Sequence, residues 1–307
     1  MQTKPIYVIT GPTATGKTGK AVALACSIDG EIISADSRQI YRGMDIGSGK
    51  DLDEYGDVPY HLIDICNPGY KYNLFEFLRD YRIARDEIWS RGKEVVVCGG
   101  TGLYVESILK GIELPQVPEN KSLRDSLKDK SLAELTEMLS RMKTLHNTTD
   151  VDSVKRAIRA IEIQTYYQEH PEMASNAQPA PEAERPEAVV IGIDIDREAR
   201  RRRITQRLDA RLKEGMVEEV RSLLQRVSAE DMIYYGLEYK FVTQYILGEY
   251  SLQEMHDKLE IAIHQFAKRQ MTWFRGMERR GIHINWLRYD LDDEEFVRRV
   301  KEIAKGQ

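Results

Sequence analysis

Gly11-Pro12-Thr13-Ala14-Thr15-Gly16-Lys17-Thr18 is the stretch on which the fold turns. It follows the apolar run Ile6-Tyr7-Val8-Ile9 and opens the helix-like Ala21-Val22-Ala23-Leu24-Ala25. The pattern is G-x-x-x-x-G-K-[ST] between a strand and a helix. Backbone N–H groups of Thr13 to Lys17 and a helix N-terminus can then face an anion. Lys17 adds a positive charge for a terminal phosphate oxygen, and the Thr18 hydroxyl is a candidate magnesium ligand. The stretch predicts a phosphate-binding loop in an α/β core but does not say which phosphate chemistry follows.

Working outward, the 307 residues exceed what one α/β core needs, so a core plus an inserted or appended piece is expected. A hydrophobic fraction of 41% supports a sizeable interior. The formal net charge of −5 gives no global nucleic-acid signature, so any such affinity rests on local charge. Three cysteines, Cys26, Cys66 and Cys98, lack C-x-x-C spacing, which points to a reducing compartment and against a zinc site. The chain reads without a secretory signal and without an apolar run long enough to span a membrane, so a cytoplasmic protein is expected.

Glu31-Ile32-Ile33-Ser34-Ala35-Asp36 is a short β-like run ending in a carboxylate. Ligands of parallel sheets bind at the carboxyl ends of strands, which puts Asp36 beside the phosphate loop; a cap for a following helix is the competing reading. Ser37 to Lys50 is polar, glycine-rich and interleaved with tyrosine, as functional loops are. Tyr60 to Ile65 reads as another strand. Leu74 to Trp89 carries helical spacing, with Asn73 as N-cap and Gly92 as stop. Glu94-Val95-Val96-Val97-Cys98 reads as a buried parallel strand, and Gly99-Gly100-Thr101-Gly102 as a second glycine turn into a helix.

The alternation stops near Leu114-Pro115-Gln116-Val117-Pro118. Residues 119–168 read as helices, with Arg156 and Arg159 sharing one face, and Pro171 to Pro186 as a flexible loop. Val189 to Ile195 is a returning core strand, so residues 116–186 form an insertion between core segments 1–115 and 187–307. The following helix sets Arg200, Arg203 and Arg207 on one stripe, suited to clamping oxyanions or to pairing with acids. The C-terminal third reads as helical, and in His264 to Arg275 cations alternate with aromatics, a mixture that suits structured RNA with exposed bases and also an ordinary amphipathic helix with buried aromatics.

Four segments together, Gly11–Thr18, Asp36–Lys50, Gly99–Tyr104 and Ala267–Arg275, resemble the bacterial tRNA dimethylallyltransferase family along nearly the whole chain. Most specific are Asp-Ser-Arg-Gln-Ile-Tyr-Arg-Gly-Met-Asp-Ile-Gly, Gly-Gly-Thr-Gly-Leu-Tyr and Ala-Lys-Arg-Gln-x-Thr-Trp. The resemblance implies a P-loop NTPase-like parallel-sheet core with a helical insertion and a helical C-terminal part. It further implies a transferase that moves a dimethylallyl group from its diphosphate to the exocyclic amine of the adenine 3′ of the anticodon. Implied partners are magnesium, dimethylallyl diphosphate and the tRNA anticodon stem-loop, and a monomer is expected.

By position, the resemblance makes Asp36 the general base, Thr18 the hydroxyl facing magnesium and diphosphate, and Arg207 a diphosphate-binding arginine. Gly11, Pro12, Thr13, Ala14, Thr15, Gly16, Lys17 and Thr18 form the diphosphate cradle. Asp36, Ser37, Arg38, Gln39, Thr101, Arg124, Lys155, Arg156 and Arg159 match tRNA-contacting positions, as do Lys268, Arg269, Gln270, Trp273 and Arg275. Departures lie at Leu145 to Asp152, at Tyr234 to Lys240, and at Ile263-His264, which replaces the family's Thr-Arg. They put the RNA contacts in question but not the chemical centre. No zinc-finger pattern follows Trp273, as in the bacterial type. Rival readings are a nucleotide or small-molecule kinase, an RNA-binding module without transferase activity, and an enzyme that prenylates free AMP, ADP or ATP.

Overall fold

A computed structural model describes residues 4–145, 149–174 and 178–306. The expected departures at 146–148 and part of the expected loop, residues 175–177, lie outside them. The chain divides into two compact units, Met1–Lys110 with Arg185–Gln307, and Gly111–Glu184.

The first unit begins with β1 (Ile6–Thr10), α1 (Lys17–Ile28), β2 (Gly30–Ser34), β3 (Tyr60–His61), α2 (Leu74–Ser90), β4 (Glu94–Gly99) and α3 (Gly102–Leu109). In the second unit follow α4 (Lys121–Leu127), α5 (Leu132–Met142), α6 (Val154–Glu169) and α7 (Pro171–Ala174). Back in the first come β5 (Ala188–Asp194), α8 (Arg197–Glu214), α9 (Met216–Leu223), α10 (Ala229–Tyr234), α11 (Leu237–Ile246), α12 (Leu252–Arg279), β6 (Asn285–Arg288) and α13 (Asp293–Lys305).

The sheet runs β3-β2-β4-β1-β5-β6 with every pairing parallel. β1 is central, with Ile9 opposite Cys98 of β4 and Ile191 of β5. Its neighbours are therefore segments from before and after the second unit. Continuous apolar strands are what a sheet covered on both faces demands. On one face Ile9, Ile32, Val96 and Ile191 pack with Leu24 of α1 and Phe296 of α13. The alternate residues Val95 and Val97 face the other side, where α2 lies against β2 and β4. Asn73 caps α2 in a reciprocal box with Glu76.

Three sequence expectations are adjusted. The strand at residue 60 ends at His61, because Leu62 and Asp64 take positive φ and Asp64 turns to bind Lys50. The C-terminal part is not wholly helical, since β6 completes the sheet edge. The stretch from Pro171 begins with the short helix α7.

In the second unit Leu127, Leu135, Leu139, Ala157 and Ile161 form a small core. Beside them Glu162 is 2% exposed and accepts hydrogen bonds from Arg124 (2.9 Å to each carboxylate oxygen), from the Asn120 N–H at 2.6 Å, and from Arg159.

Candidate active site

The carboxyl ends of β1, β2 and β4 open into a cavity of about 840 Å³ in the first unit. Its floor is the loop between β1 and α1. Ala14 and Gly16 take positive φ, 64° and 81°, and Gly16 stands at the start of α1 without a side-chain cap. A non-glycine residue held in the left-handed region costs on the order of 1 kcal/mol and persists where function fixes the backbone. The Thr15 hydroxyl donates to the Pro12 carbonyl at 2.9 Å, closing the loop on itself. Thr13, Ala14, Gly16, Lys17 and Thr18 line the cavity, while Gly11, Pro12 and Thr15 form its buried support.

Three cations converge on this floor. Arg207 donates to the Thr13 hydroxyl and Arg203 to the Ala14 carbonyl at 2.8 Å. Arg211 is 6% exposed, lies 3.6 Å from Asp51, and has a buried Nη2 without a hydrogen-bond partner. Arg207 keeps some surface open to the cavity but lies deep among protein atoms; burial, then Arg211, push its guanidinium down to about 10. Burial likewise lowers the Lys17 ammonium, Arg207 and Arg211 add to that, and Asp36 only partly offsets it. Lys17, Arg207 and Arg211 thus crowd one another in a setting that favours a multiply charged anion. Arg211 extends the stripe of Arg200, Arg203 and Arg207. The helical step of four from Arg207 is the signal for Arg211.

Opposite the cradle, Asp36 follows β2 and lines the same cavity. No helix follows it, so the cap reading fails; one carboxylate oxygen accepts the Arg38 N–H at 2.9 Å. The Thr101 hydroxyl accepts the Ser37 N–H at 3.2 Å and joins this loop to the second glycine turn. A Cβ on Gly99 would fall 2.3 Å from the Ala35 carbonyl oxygen, which is why only glycine allows β4 to approach the Asp36 strand so closely. Cys98 is no candidate nucleophile, since burial pushes its thiol up to about 12.

The loop from Ser37 to Lys50 is held from beneath. Lys50, fully buried, donates to the Tyr41 carbonyl at 2.7 Å, to Asp45 at 2.6 Å and to Asp64. Glu219 of α9 accepts the N–H groups of Asp45, Ile46 and Gly47 at 2.7–3.0 Å, and the Tyr239 hydroxyl at 2.9 Å. Tyr239, Leu237 and Glu238, from the departing segment, line the cavity wall.

Among the expected RNA contacts, Ser37, Arg38, Gln39, Thr101, Arg269, Gln270 and Trp273 line the cavity. Gln39 is engaged inside the protein, accepting from the Ser34 hydroxyl at 2.8 Å and donating to the Gly49 carbonyl at 3.0 Å. Gln270, 8% exposed, accepts the Thr13 N–H and donates to the Gly100 carbonyl, both at 2.9 Å, and so ties the two glycine loops together. Trp273, 40% exposed, rests on Gly102, where a Cβ would come within 2.3 Å of its ring. Lys268 and Arg275 lie outside the cavity on the exposed side of α12. Arg124, Lys155, Arg156 and Arg159 belong to the second unit. There Arg124 and Arg159 hold Glu162, Arg156 pairs with Asp152, and Lys155 is exposed.

This fold and site define a P-loop α/β protein in which an anion cradle and a strand-end carboxylate share one cavity. A family model described as IPP transferase matches residues 39–277, and one described as isopentenyl transferase matches residues 4–55. The chain is 57% identical to tRNA dimethylallyltransferase 2 of Phocaeicola vulgatus, covering 98% of this chain and 97% of that one. It is 54% identical to tRNA dimethylallyltransferase 1 of Parabacteroides distasonis over all of both chains. The crystal structure of the full-length tRNA isopentenylpyrophosphate transferase of Bacillus halodurans superposes with a TM-score of 0.71 at 30% identity, covering 98% of this chain and 96% of that one. The chain belongs to the tRNA dimethylallyltransferase (IPP transferase) family.

Proposed function

We propose that this enzyme transfers the dimethylallyl group of dimethylallyl diphosphate to the exocyclic amine of the adenine 3′ of the anticodon in tRNA, releasing diphosphate. The observation that carries the reading is the convergence of Lys17, Arg207 and Arg211 on the loop floor, across one cavity from Asp36.

In this reading the diphosphate lies on the N–H groups of the loop from Ala14 to Lys17, the Thr13 N–H being held by Gln270. The bond between the prenyl carbon and the bridging oxygen breaks, its electron pair leaving with the diphosphate. Preorganised donors at that oxygen, Lys17 and Arg207 foremost, stabilise the developing charge. The adenine amine forms the new carbon–nitrogen bond and is left with an excess proton. The Asp36 carboxylate takes it, its position fixed by the Arg38 N–H. The apolar side chains of Leu103, Phe266 and Trp273 at the cavity wall offer a surface for the prenyl chain.

Magnesium suits the donors present. The Thr18 hydroxyl and the Glu54 carboxylate offer hard oxygen atoms to the cavity. Among the described residues no cluster of three acidic, histidine or cysteine ligands occurs, and magnesium held by substrate phosphates and water needs none. When bound it would neutralise charge on the diphosphate. No helix among the described residues is long and apolar enough to cross a membrane.

The test is incubation with labelled dimethylallyl diphosphate and magnesium, using unmodified tRNA or AMP as acceptor. Label on the tRNA adenine and little on AMP is expected. Transfer to AMP alone would replace tRNA with a free nucleotide as the substrate.

A further inference from the structure

α8 and α12 run antiparallel along a seam that can be followed in steps of four residues. His256 meets Asp209 at 2.9 Å, and one step on the Thr205 hydroxyl donates to Glu260. The next step brings Arg201 within electrostatic reach of His264. At the far end Arg200 lies within reach of Arg197 and Arg275. The seam thus begins with hydrogen-bonded acid partners and ends with cation opposite cation.

Among the described residues Arg197, Arg200, Arg201, Lys268 and Arg275 form no ion pair. Elsewhere the chain, with its formal charge of −5, pairs exposed arginines readily, as Arg298 does with Glu295 and Glu302. Arg200 is half-buried and the others are exposed. Burial, then Arg197 and Arg275, hold the Arg200 guanidinium below its ordinary range, and Asp196 offsets only part of this.

We propose that this end of the seam is a phosphate-binding surface on which Arg197, Arg200 and Arg201 take backbone phosphates of the RNA that delivers its adenine to the cavity. The proposal rests on the tRNA reading above. An exposed track of separate charges on two helices suits a polyanion, whereas a compact diphosphate fits the cradle to which Arg203 and Arg207 are committed. The track also leads to the cavity, because Arg200 shares a helical face with Arg203, which lines it.

Each released phosphate contact flattens the salt dependence of binding by about 0.7–0.9 in log Kd against log salt. Between 1 M and 0.1 M salt that corresponds to roughly five- to eightfold in affinity per arginine. The experiment measures tRNA Kd across salt for wild type and for Arg197→Gln, Arg200→Gln and Arg201→Gln, with Arg201→Lys as a charge-keeping control. The KM for dimethylallyl diphosphate at saturating tRNA is measured alongside. Weaker tRNA binding, a flatter slope, an unchanged KM for dimethylallyl diphosphate and recovery in Arg201→Lys are expected. If wild type binds and prenylates tRNA while the variants keep its affinity and slope, the surface is a solvated face and the proposal falls alone. If wild type does not bind tRNA, the functional reading falls with it.

Discussion

Replacing Arg207 by glutamine is expected to make the ligand-free protein more stable and the enzyme slower. Burial and Arg211 bring the Arg207 guanidinium well below its ordinary value, to about 10, which is on the order of 3 kcal/mol against its charged form in the empty cavity. The variant gives up the hydrogen bond to the Thr13 hydroxyl, about 1 kcal/mol. The balance favours the variant by about 2 kcal/mol, or roughly 4 °C in Tm for a chain of this size. Removing a donor aimed at the leaving oxygen should lower single-turnover transfer by about a hundred- to a thousandfold. Thermal denaturation with and without inorganic diphosphate separates the two effects. Wild type should gain Tm on adding diphosphate, whereas Arg207→Gln should start higher and gain little. A variant with lower Tm and near-normal transfer would show Arg207 to be a structural residue and would refute the reasoning.

Further outcomes follow from other contacts. Gln270→Ala should cut kcat about tenfold with little change in the KM for tRNA, because the residue spaces the loops at Thr13 and Gly100. Gln270→Glu should be worse, since a carboxylate would face the Gly100 carbonyl; a raised KM for tRNA with normal kcat would instead mark an RNA contact. Gly99→Ala sets a Cβ 2.3 Å from backbone at Ala35 and should cost about 2 kcal/mol or more in denaturant unfolding. Burial raises the Glu162 carboxyl, but hydrogen bonds from Arg124, Arg159 and the Asn120 N–H outweigh it and leave it below its ordinary 4.5. Its unfolded form therefore binds the proton more tightly. The stability it contributes is present above about 4.5 and is lost as pH falls through the lower folded value. Glu162→Gln should be less stable at neutral pH and should lose less than wild type on acidification, as followed by circular dichroism.

Most of the cavity is legible in the sequence because its parts are local. A phosphate loop, a strand-end Asp36 and a second glycine turn each sit within a few residues of their own strand. Arg211 is harder to read, since a helical arginine has the same spacing whether it meets solvent or the cavity. Gln39 and Gln270 read in the sequence as polar RNA contacts, and nothing local reveals the hydrogen bonds that also tie them to Gly49, Thr13 and Gly100. The same applies to Arg124 and Arg159, whose partner Glu162 is distant in sequence from Arg124 and hidden in a small core. Lys50 reads as the end of a polar, glycine-rich loop, yet its complete burial depends on Asp64, which a tight left-handed turn after His61 brings to it. The four residues of β6 carry too short an alternation to stand out among helices.

In the proposed reaction the phosphate loop grips a departing diphosphate, and the bond broken joins carbon to oxygen. Dimethylallyl diphosphate with 18O in the bridge between the prenyl carbon and phosphorus tests this directly, with unmodified tRNA as acceptor. All of the 18O is expected in the released diphosphate, with the prenyl group on the exocyclic amine of the adenine 3′ of the anticodon. Recovery of 18O in free dimethylallyl alcohol or its monophosphate, or of a phosphoryl group on the RNA, would mean phosphorus–oxygen cleavage and would contradict the account.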